Sequence, residues 1–285
     1  MERFEKTKKV SIVGLAGNIF LLIIKSIVGA ITNSQAMMAD AVNSAGDIFS
    51  STMTFIGNKI AEKPKDDDHN LGHGKAEYLF SMFISISIIV VSIKLLINST
   101  QSLIFGSTYI FSWWLVVVCL TTILTKVLMY VYAHKIAKQH KNLLIEANAQ
   151  DHKNDCILTT LNLIAAFASL KGMNWVDGIV GIGISAWIAV AGIKIFIESY
   201  NVLMDTSIDD SNKQKVIDIV NTFEAVKKIE HFNSTPVGYR YQISFTIYVD
   251  GHLSTFESHE IANKIEKEID KLEEIYLTVI HVNPI

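Results

Sequence analysis

Cysteine and proline are nearly absent from this chain, and charge is thin. Two cysteines, Cys119 and Cys156, both inside apolar stretches, cannot make a disulfide scaffold. Charged residues are 19% of the 285, against about a quarter in ordinary soluble proteins. A net charge of −3 without a basic face or stripe argues against a nucleic-acid binder. No nucleophile–base pair or phosphate-cradling glycine loop is present, so an enzyme is not expected. What the chain has is apolar side chains: half of all residues, with a mean hydropathy of +0.33. Its nine histidines are clustered rather than scattered.

A bilayer-crossing helix needs about 20 mostly apolar residues. Five stretches qualify: about Val10 to Ile31, Gln35 to Gly57, Tyr78 to Ile97, Ile110 to Ala133 and Trp175 to Ile197. A sixth, about Leu143 to Leu170, has a polar first half and an apolar second half. The N-terminal arm and the second and fourth connections carry eleven basic residues, and the first, third and fifth carry one, Lys171. Basic loops stay cytoplasmic, so the chain is expected to cross a cell membrane with both termini on the cytoplasmic side. The first segment is too long for a signal peptide and five more follow it.

Composition changes near Thr206. Val216, Ile217, Val220 and Phe223 recur at helical spacing and suit a helix over Asn212 to Lys228. Apolar and polar residues then alternate from Tyr239 to Val249, as in a half-buried strand. A charged helix over Thr255 to Leu272, a strand over Tyr276 to Val282 and a weaker strand near Glu230 to Thr235 complete an αββαβ order. The expected architecture is six transmembrane helices over residues 1–205 and a small cytoplasmic α+β domain of ferredoxin-like type over 206–285.

Ionisable residues deep in a membrane are costly and are functional candidates by default. The second segment carries Asp40, Asn43 and Asp47, and the sixth-found segment, fifth in chain order, carries Asp151 and Asp155. Residues four apart share a helix face. At about 1.5 Å per residue, Asn43 and Asp151 lie about 12 Å, and Asp47 and Asp155 about 18 Å, from opposite membrane faces. In a core about 30 Å thick, Asn43 therefore meets Asp155 and Asp47 meets Asp151. Four oxygen-bearing side chains at one depth can hold a divalent cation. Interhelical hydrogen bonding is the alternative; three carboxylates without an equally placed cationic partner favour the metal. Lys94 and Lys126 are read as lying near segment ends, where long side chains reach the interface. Lys25 is deeper and could neutralise a carboxylate.

These segments resemble a known family. Ser34–Ser51 (SQAMMADAVNSAGDIFSS) resembles the second-helix signature of the cation diffusion facilitators. His69–Glu77 (HNLGHGKAE) is similar to that family's second cytoplasmic loop, and Ala147–Asp155 (ANAQDHKND) to its fifth helix. Leu203–Asp205, His259–Ala262 and His281–Pro284 are similar to motifs of its C-terminal domain. The resemblance implies a homodimer exporting a divalent metal in exchange for protons, with a transport site at Asn43, Asp47, Asp151 and Asp155. Zinc-transporting members carry histidine where this chain has Asp151, and His or Asp at Asn43, so the set here resembles the manganese branch. The chemistry agrees, because Zn²⁺ favours nitrogen and sulfur whereas carboxylate, carbonyl and water suit Mn²⁺. His152 points about 100° away from Asp151 around the helix and is read as a wall residue.

Further sites are implied by the same resemblance. Asp66, His69 and His73 match the family's loop site, and histidines four apart beside a carboxylate are a plausible metal grip in their own right; a solvated acidic loop is the alternative. His231, His259 and His281 match intersubunit ligand positions, but Thr246 and Asn283 replace an expected histidine and aspartate, which argues against a two-metal site. His134, His140 and His252 receive no role. Lys75 and Asp205 match a charge interlock at a partly desolvated helix junction. The function expected is Mn²⁺ export from the cytosol by alternating access, with no cofactor beyond the transported cation; an iron or zinc exporter of the same family and a membrane-anchored metal-sensing scaffold are the competing readings.

Overall fold

The computed structural model describes the backbone of residues 2–32, 35–105, 113–169 and 175–285, and most of the side chains within them. Six long helices come first: α1 (Glu2–Thr32), α2 (Gln35–Ala61), α3 (Ala76–Phe105), α4 (Trp113–His140), α5 (Leu143–Ser169) and α6 (Trp175–Leu203). At about 1.5 Å per residue each exceeds 40 Å, more than the roughly 30 Å of hydrocarbon. The helices therefore continue past the apolar stretches that define them. Helix α1 begins eight residues before Val10, taking in the basic arm, and α4 runs seven residues beyond Ala133. The expected span edges at Ile110 and Leu170, and the loop residue Lys171, lie outside the described residues.

Among the described residues, four stretches are long and apolar enough to cross a membrane: Glu5–Val28, Ala76–Phe105, Trp113–His140 and Gly181–Leu203. The helices not among them, α2 and α5, are the two that carry the carboxylates. In the packing, α1 lies against α2 and α4, α2 against α3 and α5, and α4 against α5. Small residues set the closest approaches, as expected where packing rather than water drives helix association. A Cβ on Gly57 of α2 would lie 2.6 Å from Leu144 Cδ2 and 2.8 Å from Phe80 Cβ. Gly178 of α6 lies as tightly against the backbone of Leu103 on α3.

The chain packs as two compact units, residues 1–62 with 76–200, and 63–75 with 201–285. In the second unit, α7 (Asp210–Asn221) is followed by β1 (Lys228–Val237), β2 (Arg240–Val249), α8 (Thr255–Ile269) and β3 (Ile275–Pro284). The sheet order is β1-β2-β3, with β1 antiparallel and β3 parallel to β2. The parallel pair requires a crossover, which α8 supplies. This is the expected αββαβ order. The helix expected to reach Lys228 ends at Asn221, because Thr222 and Phe223 close turns onto Ile219 and Val220 and Lys228 already pairs with Tyr248 in the sheet. The first strand is correspondingly longer than Glu230 to Thr235.

Both helices of this unit are started by side chains. Asp209 caps α7, and Ser254 with Glu257 forms a reciprocal capping box on α8. Val216, Val220, Ile243, Phe245, Ile247, Ile265 and Ile269 form the core between helices and sheet.

The glycine contacts give a paired expectation. Gly57→Ala forces a methyl into Leu144 and Phe80, and overpacking of this kind costs about 1–3 kcal/mol. Gly17→Ala meets only the flexible Met129 side chain, at 2.4 Å from its sulfur, which can move aside. Thermal unfolding in detergent should show a lowered midpoint for the first variant and little change for the second.

Candidate metal centre

Helix α5 is aimed by its N-terminus. Asn142 Oδ1 accepts from the Ile145 amide at 2.8 Å, and Glu77 Oε1 accepts from the Leu143 amide at 2.8 Å. Both satisfy amides that have no partner within the helix, and the Glu77 carboxylate suits the positive end of the helix dipole. Glu77, at the start of α3, is 1% exposed, and Asn142 is also buried. Two to three turns further along α5 stand Asp151 and Asp155. On the other side, Asn18 of α1 donates to the Asp47 carbonyl at 3.0 Å and to Ser51 Oγ at 2.9 Å, tying α2 to α1.

These supports bring Asp47, Asp151 and Asp155 together. Each offers a carboxylate oxygen, and the three oxygens lie within 4.8 Å of one another. All three line a cavity of about 500 Å³ together with Ser50, Thr122 and three lysines, Lys25, Lys94 and Lys126. Asn43 sits one turn before Asp47 on α2; its side chain and that of Asp40 lie outside the described residues. His152 is buried on the other side of α5: a methyl on Gly14 of α1 would sit 3.5 Å from its Nε2. It therefore turns toward α1, as its position on the helix predicts.

Lys126 departs from its expected place near a segment end. Lys126 is not at a helix end but midway along α4, and it is completely buried. Its ammonium donates to Asp47 Oδ2 at 2.7 Å and to Asp155 Oδ2. The carboxylates thus do have an equally placed cationic partner. No spacing in the sequence marks it, because its partners come from two other helices. Lys25, also buried, donates to Ser44 Oγ at 3.0 Å.

In the second unit, Asp66, His69 and His73 also converge, with ligand atoms within 4.8 Å of one another. His69 donates its amide to Asp66 Oδ1 at 2.7 Å, and its Nδ1 lies 3.1 Å from the same oxygen. His73 Nδ1 lies 3.2 Å from the Pro64 carbonyl. That contact fixes the proton on Nδ1 and leaves Nε2, 3.5 Å from Asp66 Oδ2, as the free ligand atom. The loop rests on the β1–β2 turn, where a Cβ on Gly74 would meet Gly238 Cα at 3.1 Å. Gly238 itself has φ +65°, a conformation that glycine adopts without strain.

His231, His259 and His281 are all exposed and are not brought into one ligand cluster. His231 has φ +53° at a bulge in β1, and Thr246 pairs directly with His281. Lys75 Nζ and Asp205 Oδ1 meet at 2.5 Å, but their side chains are 37% and 55% exposed. The junction is therefore wetter than the sequence suggested.

A bundle of apolar helices enclosing three carboxylates and carrying a small α+β domain is the build of a membrane transporter for cations. Residues 11–204 match the cation efflux transmembrane domain and residues 208–285 the cytoplasmic domain of cation efflux proteins. The chain belongs to the cation efflux family, whose members are transporters and not enzymes. It is 26% identical over 291 residues to the manganese efflux system protein MneP of Bacillus subtilis, spanning 99% of this chain and 98% of that one. It is 28% identical to the magnetosome protein MamB of Magnetospira sp., spanning 90% and 88%. Among solved structures, the metal-bound C-terminal domain of the CzcD transporter from Thermotoga maritima is 28% identical, covering 27% of this chain and 94% of that one, with a TM-score of 0.26.

The loop cluster has a titration signature. Partial desolvation raises the Asp66 pKa, but hydrogen bonds from the His69 amide and ring, with the charges of His69 and His73, outweigh it and hold the carboxyl below its usual range. The depressed value means these contacts persist above the ordinary carboxylate range and are lost only as pH falls through the lowered value. Carbon-13 NMR of labelled aspartate should show the Asp66 midpoint moving up in His69→Ala. An unmoved midpoint would show that His69 does not hold it.

Proposed function

We propose that this chain exports Mn²⁺ from the cytosol in exchange for protons, using Asn43, Asp47, Asp151 and Asp155 as the transport site. The observation that carries the reading is the convergence of Asp47, Asp151 and Asp155 at one point between α2 and α5. An all-carboxylate group, with His152 turned away, is hard oxygen chemistry, which suits Mn²⁺ better than Zn²⁺. The relative named for manganese efflux, alignable along nearly the whole chain, points the same way. Metal and protons compete for the same carboxylate oxygens, so each can displace the other, and alternating exposure of the site to the two sides makes that competition an exchange.

Residues 1–205 form the transmembrane part in this reading, residues 206–285 the cytoplasmic part. The protein works as a homodimer in the cell membrane with both termini cytoplasmic. Asp66, His69 and His73 serve as an auxiliary metal site exposed to solvent. His231, His259 and His281 could ligate only across subunits. The Lys75–Asp205 pair orients the end of α6 more than it stabilises it, since exposed ion pairs are worth under about 1 kcal/mol.

Transport by the purified protein in liposomes, with Mn²⁺, Zn²⁺ and Fe²⁺ compared across a pH gradient, tests the reading. Asp47→Asn and Asp155→Asn should each abolish Mn²⁺ transport, and near-normal rates in either would remove the site. Mn²⁺ uptake should speed up when the liposome interior is the more acidic side and slow down when the gradient is reversed; rates indifferent to the pH gradient would exclude proton exchange. Asp151→His should shift the ratio of rates toward Zn²⁺ by supplying an imidazole nitrogen and removing one negative charge. An active variant with unchanged Mn²⁺ preference would show that Asp151 does not set selectivity.

A further inference from the structure

The carboxylate cluster has a cation of its own. Lys126, 1% exposed at its side chain, bridges Asp47 of α2 and Asp155 of α5 through one oxygen of each. With its three carboxylates ionised and one ammonium, the group carries two net negative charges, which a divalent cation neutralises. A metal ligated by Asp47 and Asp155 would sit directly beside the ammonium, which holds one oxygen of each. Two cations this close in a medium of low dielectric repel strongly, so the ammonium must leave those oxygens as the metal arrives.

A receiving group lies one turn away. Thr122 precedes Lys126 by four residues on α4 and lines the same cavity. Its Oγ1 is buried and has no hydrogen-bond partner among the described residues. Side chains on a helix lean toward its N-terminus, so residue i reaches over i−4. An unpartnered hydroxyl in a membrane interior is costly, and Lys126, four residues on along the same helix and lining the same cavity, carries a donor that could satisfy it.

We propose that Lys126 is a tethered substitute for the transported metal: it holds Asp47 and Asp155 together in the metal-free state and swings to Thr122 Oγ1 when a divalent cation takes their oxygens. This rests on the reading of Asp47, Asp151 and Asp155 as the transport site. Metal affinity is then set by a contest between two cations, and the lysine keeps it low enough for release. Once the metal has gone, the returning ammonium offsets one of the three carboxylate charges, and the exchanged protons offset the other two.

The test is calorimetric binding of Mn²⁺ and, separately, Zn²⁺ to the full-length protein in nanodiscs, paired with transport rates in liposomes. Lys126→Gln should bind metal at least tenfold tighter and transport it more slowly. A lysine with a merely structural role would show the opposite sign in binding, since its loss would loosen the site. Thr122→Val should bind several-fold more weakly, having lost the group that receives the displaced ammonium. Equal or weaker binding by Lys126→Gln overturns the inference, provided Asp47→Asn has lost binding in the same assay. If Lys126→Gln does not fold, unchanged affinity in Thr122→Val overturns the swing by itself. Wild-type affinity in Asp47→Asn, or no binding by wild type, instead sinks the transport-site reading and the inference with it.

Discussion

One buried ammonium among three carboxylates is the constraint on which the membrane half of this protein depends. Carboxylates in hydrocarbon are tolerated only when something compensates them, and here the compensation arrives from a third helix, α4, rather than from α2 or α5. Three helices are thereby joined at one point by charge. Such a joint is a poor source of net stability, because desolvating the ions offsets most of their attraction, yet losing one partner is costly. Its value lies in geometry: it holds α2 and α5 at the separation that lets their carboxylates converge.

The remaining polar groups of the bundle serve the same end at lower charge. Asn18 and Ser51 join α1 to α2, while Asn58 donates to Ser11 and accepts from Asn142. Glu77 completes the series by holding the Leu143 amide at the start of α5. Among the described residues, α2 and α5, the helices that carry the carboxylates, are each tied to their neighbours by several such bonds. Lipid offers no competing partners for those groups. Apolar helices α3 and α6 instead meet at glycines, where dispersion contacts replace hydrogen bonds.

Much of this was legible in the sequence because membranes impose simple rules. Length and apolarity marked the spans, period-two alternation marked β2, and spacing of four put Asp151 and Asp155 on one face. Lys126 is not near a helix end because its place is set by partners on two other helices, Asp47 and Asp155, and hydropathy does not register such pairings. The end of α7 was misjudged for a different reason. Residues 222–227 have helical spacing, but pairing Lys228 and Ile229 with Tyr248 and Ile247 satisfies more backbone groups than another helical turn would. Such tertiary gains leave no local trace in a sequence.

The connection between α2 and α3 belongs to the same compact unit as the sheet, although both of its ends run into membrane helices. The soluble part is therefore stitched to the bundle by three strands of covalent chain, at 62–63, 75–76 and 200–201, and not hung from one tether. The chain therefore crosses between the units at three peptide bonds. Gly74, whose backbone is pressed against the β1–β2 turn, is separated from the first residue of α3 by Lys75 alone, so the edge of the small sheet and the start of a membrane helix are one residue of backbone apart.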